Sequence, residues 1–402
     1  IIQNILNYIS KNIILNIMKK LYISLYCLLI FQFSCENNEL NQLNTFSVSG
    51  TIEGLDTSYM TTSYSDNMGN RINDTVYVEN NHFIYTAKID KPTHIVLWPN
   101  VERTIKRTKT GYYPAKSSQF AFLASPGDKI IFKGKVSDFI DAYPTGSKAN
   151  NDLSIINSSI FPMVNKSFNL LLKKGEIEKE NALYAAALDD SIKALDDEVI
   201  RKKIDFITSN QNSEAAIWCL SDMMMRNQIS DQEAVSVFRN IDLKNKGNPF
   251  YKEIEMRVKG IETTMIGRPI PDFKTTNTLD GKLFEFSSLR GKYVLIDFWG
   301  TWCAPCVAEM PKLKEYQEKY NQKLIVLGIN SGDSKEKIEK FIIPKQYNWK
   351  HLLSGNGEDD FVLKFNVSGF PTKFIIDPSG EILYRFVGGG EDSFKALDEL
   401  LK

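Results

Sequence analysis

A chain of 402 residues is long enough for two or three domains with cores of ordinary size. Its 49 basic and 49 acidic side chains cancel, which excludes the basic footprint of a nucleic-acid binder and any acidic bias toward a cationic partner. Five cysteines are too few for a dense disulfide framework, and three histidines without metal-ligand spacing offer no zinc constellation.

Residues 1–17 are rich in Ile and Asn and carry no clear signal, so Met18 is the better start. Met18-Lys19-Lys20 is a charged segment, and Leu21 to Phe33 is an apolar run too short for a comfortable membrane span. The run stops at Phe33-Ser34-Cys35-Glu36, where a small residue precedes a cysteine and the chain turns polar. This resembles a bacterial lipoprotein signal over 1–35, with Cys35 lipidated and Gln32 standing where Leu is usual. An uncleaved anchor is the alternative. Either places the rest of the chain in the cell envelope, facing the periplasm or the cell surface, and a cleaved signal discards Cys27.

Residues 36–45 read as a polar tether. From Phe46 the pattern changes to short alternating strands at Phe46–Ile52, Thr75–Val78, His82–Ala87, His94–Trp98, Phe120–Leu123 and Lys129–Phe132. Turn chemistry at Asn80-Asn81 and Pro126-Gly127-Asp128 separates them, so residues 46–145 are expected to form an antiparallel β-sandwich. Gly50, Asn81-x-Phe83 and Pro126-Gly127-Asp128 resemble a β-rich domain found ahead of thioredoxin domains in bacterial lipoproteins, which brings no settled activity. Tyr112-Tyr113 and the histidines read as packing or loop residues. Residues 146–263 show helical periodicity, with Asn210-Gln211-Asn212-Ser213 as a capping stretch. In this central α-helical region Cys219 reads as a buried, inert thiol and Met223-Met224-Met225 as core.

Residues 264–402 alternate strands and helices. The apolar strand Val294-Leu295-Ile296 ends in Asp297-Phe298-Trp299, a Gly300-Thr301 turn follows, and Trp302-Cys303-Ala304-Pro305-Cys306 opens a helix. A cysteine at a helix N-terminus is favoured as thiolate, and Cys306 in the first turn is placed to attack a mixed disulfide formed on Cys303. Cys303 is thus the expected nucleophile, the more exposed of the two, and Cys306 the resolving thiol.

These residues, with Gly369-Phe370-Pro371-Thr372 before a later strand, resemble the thioredoxin superfamily. Glu309 and Pro311 resemble its TlpA/ResA branch of membrane-anchored thiol–disulfide oxidoreductases. The resemblance implies an α/β thioredoxin fold, a cis-Pro371 opposite the cysteines, and Phe370 and Trp302 at the substrate. It also implies Asp297 as a buried proton acceptor for the thiols and Glu309 as a tuner of their acidity. The redox-active disulfide needs no cofactor and no metal. A DsbD-like transmembrane electron donor and envelope clients, cytochrome c maturation among them, are the implied partners, and no nucleic acid. Phe370 departs from the smaller residues usual before that proline. Neither cysteine lies in the Pro-x-x-x-Thr/Ser-x-x-Cys pattern of a peroxidase. A non-enzymatic alternative is an envelope adaptor in which residues 46–263 do the work.

Overall fold

The computed structural model describes residues 44–65, 71–177 and 181–402. Cys27 and the proposed lipidation site Cys35 lie outside the described residues. Among the described residues no helix is long and apolar enough to cross a membrane. The chain divides into two compact units, Ile1–Ile192 and Lys193–Lys402.

The first unit carries strands β1 (Thr45–Glu53), β2 (Tyr59–Ser65), β3 (Arg71–Glu79), β4 (His82–Lys88) and β5 (Thr93–Trp98). After the short pair β6 (Lys106–Arg107) and β7 (Tyr112–Tyr113) come β8 (Phe120–Ala124), β9 (Lys129–Val136) and β10 (Ile140–Thr145). Eight of these form one sheet in the order β10-β9-β1-β4-β3-β2-β5-β8. The expected antiparallel sandwich needs correcting on two counts. The strands make a single sheet curled around one core shared by Phe46, Val76, Phe83, Ile95, Phe122 and Phe132, and β1 pairs with β9 in parallel. Periodicity reports which residues face inward but not the direction of a partner strand. Asn80 and Asn81, both at positive φ, make the tight turn between β3 and β4. Gly50 leaves the place where a Cβ would come within 2.6 Å of the Phe83 ring.

Helix α1 (Lys148–Ile177) closes this unit against β10. Its start is pinned by the buried Asn150, which donates to the Leu123 carbonyl (2.7 Å) and accepts from the Leu123 N–H (3.0 Å).

The boundary between the units falls inside α2 (Ala182–Ser209). The helices expected as one region, 146–263, are therefore shared out. The second unit contains α3 (Glu214–Met225), α4 (Asp231–Phe238) and α5 (Pro249–Thr263); Ser213 precedes α3 without a side-chain cap bond, whereas Ser230 caps α4 and Asn248, followed by Pro249, caps α5. The small hairpin of β11 (Lys274–Thr275) and β12 (Phe284–Glu285) follows. Next come β13 (Tyr293–Trp299), α6 (Ala304–Lys319), β14 (Leu324–Asn330), α7 (Lys335–Ile342), β15 (Lys350–Leu353) and the one-turn α8 (Phe361–Lys364). The chain finishes with β16 (Thr372–Ile376), β17 (Ile382–Val387) and α9 (Asp392–Leu401).

The second sheet has the order β15-β14-β13-β16-β17, with β13 central, parallel to β14 and antiparallel to β16. Both faces are covered, so β13 is apolar almost throughout. Leu295 and Trp299 face the cluster built with α6 and α9, whereas Val294, Ile296 and Phe298 face the one built with α8. Helix α5 packs against α8 so closely that Gly260 touches its backbone. Farther along the same seam, Ser368 Oγ donates to Asn227 Oδ1 (2.6 Å), and the Asp231 carboxylate accepts from Asn366 Nδ2 (3.1 Å) and Arg385 Nη1 (3.3 Å). The loop leading to Phe370 and Pro371 thus rests on α3 and α4.

Candidate active site

The central strand delivers its chain into a turn that is latched before the helix starts. Thr301 donates to Asp333 through both its N–H and its hydroxyl, each at 2.7 Å. Asp333 also accepts from Asn330 Nδ2 (3.0 Å) and pairs with Lys337 (2.6 Å), and its side chain is wholly buried. These donors hold its carboxyl below the usual carboxylate range against the opposing effect of burial. Trp302 folds back over Gly300 and donates its indole N–H to the Ser331 carbonyl (2.9 Å).

Cys303 then caps α6. Its Sγ accepts from the Cys306 N–H (3.2 Å), and the two residues are joined as a disulfide with Cα atoms 5.3 Å apart. The expectation that Cys303 is the more exposed sulfur holds only weakly. It is 5% exposed against 1% for Cys306, because both belong to the apolar cluster on which Phe370 packs. Trp302 is 54% exposed and meets Phe370 edge-on at 5.1 Å. The Phe370–Pro371 bond is cis, and the Pro371 carbonyl accepts from Gly388 N–H (2.8 Å). These two aromatic rings therefore stand together beside the cysteines.

Asp297 lies two residues before Trp299, on the strand face that α6 covers. It is 1% exposed, and neither carboxylate oxygen makes a hydrogen bond. Burial pushes its carboxyl up to about 6, Lys373 draws it back and Glu309 adds to the rise. Glu309, one turn beyond Cys306, is no solvated helix residue. It accepts from Lys373 Nζ with one oxygen and from Gly390 N–H (2.6 Å) with the other.

The sequence reading missed Lys373 and Asp333. Lys373 sits inside the apolar strand β16, with its ammonium 3.8 Å from Asp297 and 2% of its side chain exposed. A lone lysine in a Thr-Lys-Phe-Ile-Ile run two residues after the proline was the available signal. Asp333 directly precedes the Ser334 cap of α7, where a polar residue is ordinary and carries no signal of its own. Cys219 is buried in α3, and Tyr112 is half exposed in a short hairpin of the first unit. Among the described residues, no group of His, Cys, Asp and Glu is arranged to hold a metal ion.

A five-stranded sheet, a helix capped by a cysteine pair and a cis-proline loop beside it define the class: a thioredoxin-like protein. Comparison with known proteins agrees. Residues 266–385 match the AhpC/TSA family, and residues 46–153 match a domain of unknown function, DUF4369. The thiol-disulfide oxidoreductase ResA of a Bacillus cereus strain is 33% identical over 128 residues, covering 32% of this chain and 72% of that protein. ResA of Geobacillus kaustophilus is 36% identical over 124 residues, covering 31% and 70%. ResA of Bacillus subtilis is 33% identical over 130 residues, covering 32% and 71%. The chain belongs to the TlpA/ResA-like family of the thioredoxin superfamily and is a thiol–disulfide oxidoreductase.

Proposed function

We propose that Cys303 and Cys306 are the redox centre of an extracytoplasmic, membrane-tethered enzyme that reduces protein disulfides. The observation that carries this reading is the Cys306 N–H aimed at Cys303 Sγ at the start of α6. In the reduced enzyme this amide and the helix dipole favour the Cys303 thiolate over the thiol. That thiolate attacks a client disulfide. One client sulfur leaves as a thiolate and takes a proton from solvent, and the other stays joined to Cys303. Cys306 gives its proton to Asp297 and attacks Cys303 Sγ. The Cys303–client bond breaks, the second client thiolate leaves and the Cys303–Cys306 disulfide closes. Two electrons pass to the client, its second thiolate takes a proton from solvent, and Asp297 returns the Cys306 proton to solvent.

Phe370, with the cis peptide bond following it, offers its backbone for strand-like pairing with the client, and Trp302 and Phe370 supply an apolar rim. Recharging the disulfide in an oxidising compartment requires a dithiol donor, for which a DsbD-like membrane protein is the implied source. Lipidation at Cys35 would supply the tether.

The test is the redox equilibrium of the Cys303–Cys306 pair in residues 36–402, followed by Trp302 fluorescence against thiol buffers. A potential near that of thioredoxin, about −270 mV, supports a reductase, whereas one near that of DsbA, about −120 mV, makes it an oxidant. No reversible transition would leave the adaptor reading, with residues 46–263 as the working part.

A further inference from the structure

Strand register lays one row of residues across the second sheet. Phe386, Lys373, Asp297, Gly328 and His351 are successive partners from β17 to β15. Register partners share a face, and this one is covered by the active-site helix. Gly328 has no side chain, so Asp297 has a single charged neighbour within the sheet, Lys373. Above them, α6 adds Glu309.

Two carboxylates divide one buried ammonium unequally. Glu309 has two donors, Lys373 Nζ on one oxygen and the Gly390 N–H on the other, so both of its oxygens are engaged. Asp297 stands 3.8 Å from the same nitrogen and accepts no hydrogen bond, so a proton joins it without breaking one. The other groups around the row are silent. His351 is buried, its imidazole pushed down to about 4, and its Nε2 lies 3.4 Å from the Tyr347 carbonyl. Lys312 on α6 is engaged by Glu391, and Gly328 and Phe386 do not titrate. Only the cysteines themselves remain.

We propose that Lys373 is the positioning residue that makes Asp297 usable as the base for Cys306. It spends its hydrogen bond on Glu309 and leaves Asp297, which accepts none, as the member of the trio that exchanges a proton. This rests on the reading of Asp297 as proton acceptor given above. In the step concerned, Asp297 takes the Cys306 proton as Cys306 Sγ bonds to Cys303 Sγ. The bond between Cys303 and the client breaks, and the departing client sulfur carries the electron pair away. Asp297 later returns the proton to solvent.

The reduced full chain is mixed with glutathione disulfide, and the attack of Cys306 on the Cys303–glutathione adduct is followed by stopped-flow fluorescence from pH 4 to 9. The wild-type rate climbs along a limb set by Asp297. Lys373→Met moves that limb to higher pH by about one unit, lowering the rate below it about tenfold, while Cys303 attack on the probe changes less than about twofold. Lys373→Arg restores it. Glu309→Gln moves the limb the other way, because the whole Lys373 charge then falls to Asp297. This variant also decides the matter should Lys373→Met fail to fold, and a purely structural lysine predicts no such opposed shifts. If Asp297→Asn leaves the limb intact, Asp297 is not the base and the proposal falls with that reading. If Asp297→Asn removes the limb but neither Lys373→Met nor Glu309→Gln moves it, the base stands and the role of Lys373 is overturned.

Discussion

Gly260→Ala places two opposed effects on one helix position. In an ordinary exposed helix interior the change stabilises by about 1 kcal/mol, since alanine is the better helix former. At Gly260 the added Cβ would lie 2.6 Å from the Lys364 carbonyl oxygen and 2.8 Å from that of Leu363. Both obstacles are backbone, so neither can rotate away. Relief requires α5 and α8 to part by roughly half an ångström or more, and such overpacking costs about 1–3 kcal/mol. The upper part of that range applies here, because parting also loosens the 3.4 Å hydrogen bond from buried Arg257 to the Val367 carbonyl. The net expectation is a loss of about 1–2 kcal/mol, or about 2–8 °C in Tm for a unit of this size. Gly175→Ala in α1, where nothing lies within 4 Å of the new Cβ, is the matched control and should gain stability. Urea unfolding followed by fluorescence measures both. Trp218, Trp299, Trp302 and Trp349 report the second unit and Trp98 the first. Should Gly260→Ala stabilise as much as Gly175→Ala, the tight seam joining α5 to the thioredoxin fold does not exist.

Asp297→Asn bears on pH. The carboxyl ionises at about 6 in the folded chain and near 3.8 when unfolded, so the unfolded state loses its proton first and native stability falls as pH rises from about 4 to 6. The variant should match the parent at pH 3.5 and exceed it by up to about 3 kcal/mol at pH 7.5, while the Cys306 step slows. Equal urea midpoints at both pH values would remove the buried-carboxylate argument. Asp333→Ala strips the latch from Thr301 and leaves buried donors unpaired. A loss of about 2–4 kcal/mol and a changed Trp302 emission are expected, and an unchanged Tm would contradict the latch. Cys306→Ser should accumulate a covalent adduct with a disulfide client, visible as added mass, whereas Cys303→Ser should form none. An adduct on Cys303→Ser would reverse the assignment of nucleophile.

The second sheet was legible because its strands carry their own signals: an apolar run into Asp297, a cysteine pair at a helix start, and a proline ahead of the next strand. The motif residues Asp297, Cys303, Cys306, Glu309 and Pro371 stand within one neighbourhood. Lys373 escaped notice because a buried lysine contradicts the pattern of its strand, and only the cross-strand partner Asp297 explains it. The parallel β1–β9 pair was not readable, since direction depends on a residue far along the chain. Nor was the allegiance of the helices. The polar contacts that tie α3 and α4 to the proline loop run through Asn227 and Asp231, which look like ordinary turn and cap residues in sequence.

The parallel pairing also has a bearing on how the chain is made. β1 can form its antiparallel ladder with β4 early, but its other edge waits for β9, whose Lys129 pairs with Ser47 and Lys135 with Glu53. At ~5–20 residues per second of synthesis, that edge stands open for several seconds. Backbone donors and acceptors left exposed on a strand are a template for pairing with another chain. The first unit therefore exposes a pairing edge while it is being made, and β1 is the segment a chaperone would cover there.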